Sequence, residues 1–126
     1  YTYSGIPVAV SAALAVQEIF EREDIFNRVK NISNYFQEGL HSLKDIECIE
    51  SIRNYGLLGG VDIQMKDKPG KAGFQVYKEC YKAGINIKPT GDALIIAPPF
   101  ICDKKNIDEI IEKLRKGIKN YMNISK

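Results

Sequence analysis

The stretch that decides the fold is residues 46–65, IECIESIRNYGLLGGVDIQM, where two short runs of β-forming residues meet at a glycine. The runs are Ile46–Tyr55 and Leu57–Met65, separated by Gly56. Apolar and polar side chains alternate from residue 61 to residue 66, which is the period of a half-buried strand. We therefore predict two strands of a sheet that buries one face.

Three glycines in this stretch, Gly56, Gly59 and Gly60, superficially resemble a phosphate-binding loop. They lie between two predicted strands and open no helix, so a bulged turn explains them better. The chain also lacks the glycine motifs of the nucleotide-binding loops. We therefore assign these glycines to a turn rather than to a ligand.

Two helices are predicted before the sheet. Residues 7–22 are rich in Ala, Leu and Glu, with Pro7 suited to the first turn and Ser4 to the cap. Small and apolar residues recur on one face of this helix at the spacing of a buried stripe, namely Val8, Ala12, Ala15 and Ile19. The second helix, from about Asp24 to Leu43, carries a longer stripe of Ile25, Val29, Ile32, Phe36, Leu40 and Leu43.

The second half of the chain alternates helix and strand. A helix over Phe74–Ala83 is predicted to end at Gly84, and strands Ile85–Lys88 and Ala93–Ala97 flank a Pro-Thr-Gly-Asp turn. A last amphipathic helix covers Lys104–Tyr121. A small antiparallel sheet covered by helices on one face makes an α+β two-layer domain. We predict that fold, with residues 1–126 forming one domain.

Composition excludes several classes of protein. The chain has 126 residues and a formal net charge of +2, which is too small a basic excess to favour a nucleic-acid partner. No apolar run approaches the roughly 18 residues of a membrane span. The three cysteines have no zinc-ligand spacing, and their odd number favours a reducing compartment. We predict a cytoplasmic protein without a metal site.

The usual catalytic constellations are absent, and two segments remain that could bind an anion. The single histidine, His41, falls on the polar side of the second helix, where a solvated residue is expected. Residues 1–7 could hold a phosphate through hydroxyls and backbone N–H groups ahead of a helix. In Lys88–Asp92, a lysine held by proline could offer its charge to an anionic substrate. A helix cap is the simpler interpretation of residues 1–7, and a plain hairpin is the simpler interpretation of Lys88–Asp92. A free-standing small-anion-binding or regulatory module stays open as an alternative function.

These two segments and two further motifs resemble the class III aminotransferases, most closely their ω-amino acid:pyruvate branch. The matching stretches are Tyr1–Pro7 (YTYSGIP), Arg53–Gly60 (RNYGLLGG), Lys88–Asp92 (KPTGD) and Ala97–Ile101 (APPFI). They occur in the family's order, and the resemblance extends over nearly all of the chain. The resemblance implies the C-terminal small domain of a fold type I enzyme, with residues 1–22 leading in from a large cofactor-binding domain.

The resemblance also implies a cofactor, a reaction and site residues. The cofactor is pyridoxal 5′-phosphate, and the reaction moves an amino group from an ω-amino acid or amine to a 2-oxo acid such as pyruvate. The Schiff-base lysine lies upstream in this family, so no catalytic residue is expected in this chain. Thr2 would bind the cofactor phosphate in the neighbouring subunit of a homodimer, and Tyr1 would border that pocket.

Two positions depart from the family pattern. Lys88 stands where the family usually has an arginine that pairs with the substrate carboxylate. Lysine is a point charge without a planar bidentate fork, so we expect carboxylate recognition to be weaker or differently aimed. The second departure is Ile6, which replaces the usual histidine.

Overall fold

The computed structural model describes residues 2–64 and 70–124 of the chain. Four helices and four strands follow one another in the predicted order, with a short 3₁₀ turn at Ser42–Asp45 after the second helix. The helices are α1 (Pro7–Arg22), α2 (Ile25–His41), α3 (Ala72–Lys82) and α4 (Lys104–Ile124). The strands are β1 (Ile49–Tyr55), β2 (Leu58–Ile63), β3 (Lys88–Thr90) and β4 (Ala93–Ile96).

The four strands form one antiparallel sheet in the order β1-β2-β4-β3. The α+β two-layer prediction is confirmed, because the buried side chains of β2 and β4 face helices that cover one side of this sheet. The other side of the sheet is open. The sheet therefore separates a packed core from a surface on which a site can be built.

The core lies between the covered face of the sheet and the apolar faces of α2, α3 and α4. The stripe predicted on α2 is confirmed, since Phe36 and Leu40 are fully buried and Val29 packs partly buried against them. Along α4 the buried positions recur at helical spacing: Ile107, Leu114, Ile118 and Tyr121. Burial of large apolar side chains at about 1.5–3 kcal/mol each is the main force that holds the two layers together.

The β1–β2 connection is a tight hairpin rather than the predicted bulged turn. Tyr55 pairs with Leu58, and Gly56 takes the first turn position with φ 54°, a conformation that glycine adopts without strain. Gly59 and Gly60 belong to the regular ladder of β2. A Cβ built at Gly59 would lie 2.5 Å from Leu40 Cδ2, so its role is to let α2 approach the sheet.

Two strand boundaries differ from the prediction. The predicted strand at 46–55 begins only at Ile49, after the 3₁₀ turn, and the predicted strand at 85–88 is replaced by Lys88–Thr90. Helix α3 ends in a Schellman motif at Gly84 (φ 88°), whose Ile85 N–H donates to the Cys80 carbonyl and keeps the following residues out of the ladder. Pro89 can extend β3 because β3 is an edge strand.

Helix α1 has the predicted bounds but not the predicted burial. None of its residues is buried, and Val8 on the expected stripe is 80% exposed. Its attachment is at its C-terminal end, where the Phe20 ring lies edge-on to Phe26 at 5.5 Å and to Phe100 at 6.0 Å between ring centroids. The rest of the helix has an apolar face that the described part of the chain leaves uncovered.

Candidate functional site

The open face of the sheet carries the candidate site. Because side chains alternate between the two faces of a strand, the pairing registers fix which residues point outward. The polar and charged residues on this face are Ser51, Arg53, Asp62, Lys88 and Thr90. The sequence motif at Lys88–Asp92 is therefore brought onto the same face as the Arg53–Gly60 motif.

One row across this face joins the two motifs directly. Lys88 pairs with Ile95, Ile95 pairs with Gly60, and Gly60 pairs with Arg53. At a strand spacing of about 4.8 Å, the backbones of the two end residues lie roughly 14 Å apart. The row therefore has a cation at each end, with Ile95 and Gly60 between them.

The Arg53 cation is neutralised by a neighbour on the same face. Its guanidinium donates to the carboxylate of Asp62, and the Ser51 hydroxyl donates to the same carboxylate oxygen. These two donors, Arg53 first, hold the pKa of Asp62 below its usual value, and Asp62 raises the pKa of Arg53 in turn. Arg53 lies across Gly60, where a Cβ would come within 3.3 Å of its Cζ.

Lys88 differs from Arg53 in having no carboxylate partner among the described residues. It is exposed on the edge strand, beside a groove of about 420 Å³ with mainly apolar walls. Ile85, Ile95, Pro98 and Ile110 contribute to those walls. This arrangement suits a small molecule with an anionic group at one end and a short apolar body.

The hairpin that carries Lys88 is tied to α3 by the side chain of Asp92. One carboxylate oxygen accepts from the Gly70 N–H at 2.6 Å and the other from the Ala72 N–H at 2.9 Å. The Gly91 carbonyl accepts from the Gly73 N–H at 3.1 Å. Sequence reasoning treated Asp92 only as a turn residue, because a cap supplied from 20 residues away leaves no local pattern.

The N-terminal segment forms a turn that ends at α1, and Thr2 in it is exposed. The predicted cap by Ser4 is wrong, because Ile6 occupies the N-cap position and no side chain caps the helix. Gly5, at φ 73°, redirects the chain between them. Tyr1 lies outside the described residues.

These groups fit a phosphate in their chemistry. Uncapped N–H groups at a helix N-terminus and nearby hydroxyls are the donors that phosphate binds, and the first turn of α1 holds no acidic residue. The structure does not bring Thr2 to Lys88. Thr2 precedes the unattached end of α1, whereas Lys88 lies on the sheet.

The remaining sequence predictions concern His41, metals and membranes. His41 is exposed as predicted, with its Nε2 3.1 Å from the Asn54 side-chain oxygen. Among residues 2–64 and 70–124, no group of three or more His, Cys, Asp or Glu side chains could hold a metal ion. In the same residues, no helix combines the length and apolar character needed to cross a bilayer.

The fold and the motif order define a transaminase-type small domain, and comparison with known proteins identifies the family. The family model described as "Aminotransferase class-III" matches residues 1–118, and the chain belongs to that family. The resemblance inferred from the four motifs is thereby confirmed.

Two curated relatives and two solved structures show how much of such a protein this chain represents. The chain is 34% identical to an omega-aminotransferase of Caulobacter vibrioides over 92% of its own length and 27% of that protein. It is 35% identical to the chloroplastic gamma aminobutyrate transaminase 3 of Solanum lycopersicum, over 98% of itself and 25% of that protein. The chain thus spans about a quarter of the length of these relatives.

Two solved structures share most of this architecture. The adenosylmethionine-8-amino-7-oxononanoate aminotransferase of Methanocaldococcus jannaschii is similar with a TM-score of 0.81 at 30% identity, over 87% of this chain and 27% of that one. The omega transaminase of Pseudomonas jessenii in complex with PMP is similar with a TM-score of 0.88 at 21% identity, over 94% of this chain and 28% of that one. The fold is therefore that of the C-terminal part of a fold type I transaminase.

Proposed function

We propose that this chain is the C-terminal part of an aminotransferase that moves an amino group from an ω-amino acid or amine to a 2-oxo acid such as pyruvate. The observation that carries the proposal is the class III family match over residues 1–118. The geometry adds a solvent-facing lysine at the mouth of an apolar groove, in the motif that the family uses for the substrate carboxylate.

We assign pyridoxal 5′-phosphate as the cofactor. When bound, it supplies an electron sink for carbanion chemistry at the amino-bearing carbon of the substrate. Thr2 would hold the phosphate through its hydroxyl and backbone N–H, with Tyr1 at the border of the pocket, in the neighbouring subunit of a homodimer. The exposed position of Thr2 and the uncapped start of α1 support this assignment.

Lys88 would bind the substrate carboxylate. Its ammonium group has no anionic partner in the described part of the chain, so binding a carboxylate displaces no existing ion pair. The groove beside it accepts a short methylene chain, which is what separates the carboxylate from the amino group in an ω-amino acid. Arg53 is the less suitable cation of the pair because Asp62 already occupies its guanidinium.

The remaining features of the whole protein follow from the same proposal. Residues 1–126 would form the C-terminal small domain, and residues 1–22 would lead in from a large domain. That large domain would supply the lysine that bonds covalently to the cofactor. No residue of this chain is given that catalytic role. The uncovered apolar face of α1 supports an interface with another part of the protein or with a second subunit. We place the enzyme in the cytoplasm.

An absorption spectrum of the protein expressed from its natural start codon tests the proposal. We expect a yellow protein, because the cofactor bound to a lysine absorbs visible light, and we expect the colour to bleach when β-alanine is added. The control is the same protein with an amino donor omitted. A colourless protein that moves no amino group would contradict the enzyme and favour a small-anion-binding or regulatory module built on Lys88–Asp92.

A further inference from the structure

The segment that carries Lys88 has little support of its own. Strand β3 has three residues, lies at the edge of the sheet and pairs only with β4. Pro89, the middle residue, contributes no N–H to any ladder. Helix α3 packs against this strand, and the position of Lys88 also depends on what fixes the β3–β4 turn.

Asp92 fixes that turn with all three of its oxygen atoms. Its backbone carbonyl accepts from the Ile63 N–H at 2.8 Å, which ties the turn to the end of β2. Its two carboxylate oxygens accept from the N–H groups of Gly70 and Ala72, so that it caps α3 from a distant part of the chain. Two of these three contacts need a carboxylate with both oxygens available.

Close packing at Gly73 shows that the turn and α3 meet without room to spare. A Cβ built at this glycine would lie 2.6 Å from the Gly91 carbonyl oxygen and 2.8 Å from that of Ala93. Both atoms belong to backbone, which cannot rotate away as a side chain can. The start of α3 therefore acts as a fixed support for the hairpin.

We propose that Asp92 is a positioning residue for the substrate carboxylate: by joining the β3–β4 turn to the first turn of α3, it holds Lys88 in place on the open face. This inference rests on the proposed function, since it requires Lys88 to bind a carboxylate. Asp92 itself makes no contact with substrate. Its removal leaves the Lys88 ammonium intact and changes where that ammonium lies.

The test follows only the donor half-reaction of the full-length holoenzyme, in single turnover, so that the carboxylate of the 2-oxo acid does not enter. The donor concentration that gives half of the maximal rate takes the place of KM in this test. Two donors of similar size are compared, β-alanine with a carboxylate and propylamine without one. Lys88→Ala gives the reference for complete loss of the contact. It should raise the KM for β-alanine on the order of tenfold or more, because a charge-assisted hydrogen bond is lost.

Asp92→Ala should raise the KM for β-alanine roughly fivefold, because a displaced cation still attracts the carboxylate, and should change propylamine less than about twofold. Asp92→Asn keeps one acceptor oxygen, so an intermediate effect is expected. Asp103→Ala is the matched control, because Asp103 also caps a helix, accepting from the Asn106 N–H at 2.9 Å, and lies outside the hairpin. It should leave the ratio between the two donors unchanged.

Amide hydrogen exchange gives a readout that does not depend on activity. In Asp92→Ala, residues 70–73 and 88–92 should exchange faster together, while α4 stays protected. If Lys88→Ala discriminates between the donors but Asp92→Ala affects both equally, Asp92 is only structural and the inference is overturned. If Lys88→Ala does not discriminate, the carboxylate role of Lys88 in the proposed function fails instead.

Discussion

At the scale of single residues, the open face carries two cations that differ in their neighbours. Arg53 and Lys88 lie in one row of the sheet, and within residues 2–64 and 70–124 only Arg53 has a carboxylate beside it. At an exposed surface, the Coulomb attraction between two opposite charges is weak unless the two can approach each other closely. This difference, rather than the number of positive charges, assigns substrate binding to Lys88.

Replacing Lys88 by arginine tests how the charge is presented. Arginine offers a planar fork that matches a carboxylate, so Lys88→Arg in the full-length enzyme should lower the KM for β-alanine by about threefold to tenfold. The KM for propylamine should stay the same. The control is Lys44→Arg, on the exposed 3₁₀ turn. An equal change for both donors would contradict a carboxylate contact at this position.

The Asp62 carboxylate predicts a pH dependence of stability. Its pKa is lowered in the folded state by hydrogen bonds from Arg53 and Ser51, so it stabilises the fold above its unfolded pKa. That contribution is lost as the pH falls from about 4 through the lower folded pKa. Asp62→Asn should therefore lower Tm at pH 7 and matter progressively less in acid.

The size of this effect should be small because the pair is partly exposed. We expect less than about 1 kcal/mol at pH 7, measured by thermal melts from pH 2 to pH 7. Glu18→Gln is the comparison variant, since Glu18 is exposed on α1 and forms no ion pair among the described residues. A Tm difference for Asp62→Asn that persists unchanged at pH 2 would rule out this account.

At the scale of secondary-structure elements, glycines determine how closely the helices approach their neighbours. Gly117 of α4 faces α3, and a Cβ there would lie 2.7 Å from Cys80 Cα and 2.8 Å from its nitrogen. Gly39 of α2 faces α4, but the nearest atoms to its Cβ would be side-chain atoms, with Ile111 Cγ1 closest at 3.1 Å. The two glycines look alike in sequence and differ in what surrounds them.

Substituting both glycines tests this difference. Gly117→Ala should destabilise the protein by about 2 kcal/mol, because the two helices must move apart. Gly39→Ala should change stability by less than about 1 kcal/mol, since higher helix propensity offsets a small adjustment of Ile111. Urea unfolding of both variants measures these free energies. Equal losses in the two variants would show that the α3–α4 approach is not the tighter one.

Prediction from sequence succeeded for the elements whose signal is local. The stripes of α2 and α4 were readable because a helix that packs on one surface repeats its apolar residues every three to four positions. The exact start of β3 was not readable. It depends on the edge position of Pro89, which is decided by the pairing of β4 with β2, a strand distant in sequence.

At the scale of the whole molecule, helix α1 is the helix with no buried residue in the described chain. Three of its apolar residues, Val8, Leu14 and Val16, are about half exposed or more. Exposed apolar patches of this kind mark surfaces that associate. The anchor at Phe20 is confined to the C-terminal end of the helix.

Chain 1–126 on its own should therefore self-associate through α1. Sedimentation velocity over a range of protein concentrations should show association that disappears when residues 1–22 are deleted. The deletion should reduce stability by less than about 2 kcal/mol, because it removes the two aromatic contacts of Phe20 but no buried residue of α1. In the intact chain, Val8→Gln with Leu14→Gln serves as the matched variant. Association that survives both changes would contradict a role for α1.

By itself the sequence determined the class of fold and the two segments of interest. Periodicity identified the helices and strands, and four motifs in a fixed order identified the family, because both are properties of residues close together in the chain. It also identified Lys88 as the residue to test.

Only the tertiary structure decided how those residues act on one another. The pairing register placed Arg53 and Lys88 in one row and brought Asp62 next to Arg53. A hydrogen bond between the Ala72 N–H and the Asp92 carboxylate, 20 residues apart in sequence, made Asp92 the support of the Lys88 hairpin. Such relations depend on strand register and helix approach, which are set by packing between distant segments. No local pattern in the sequence encodes them.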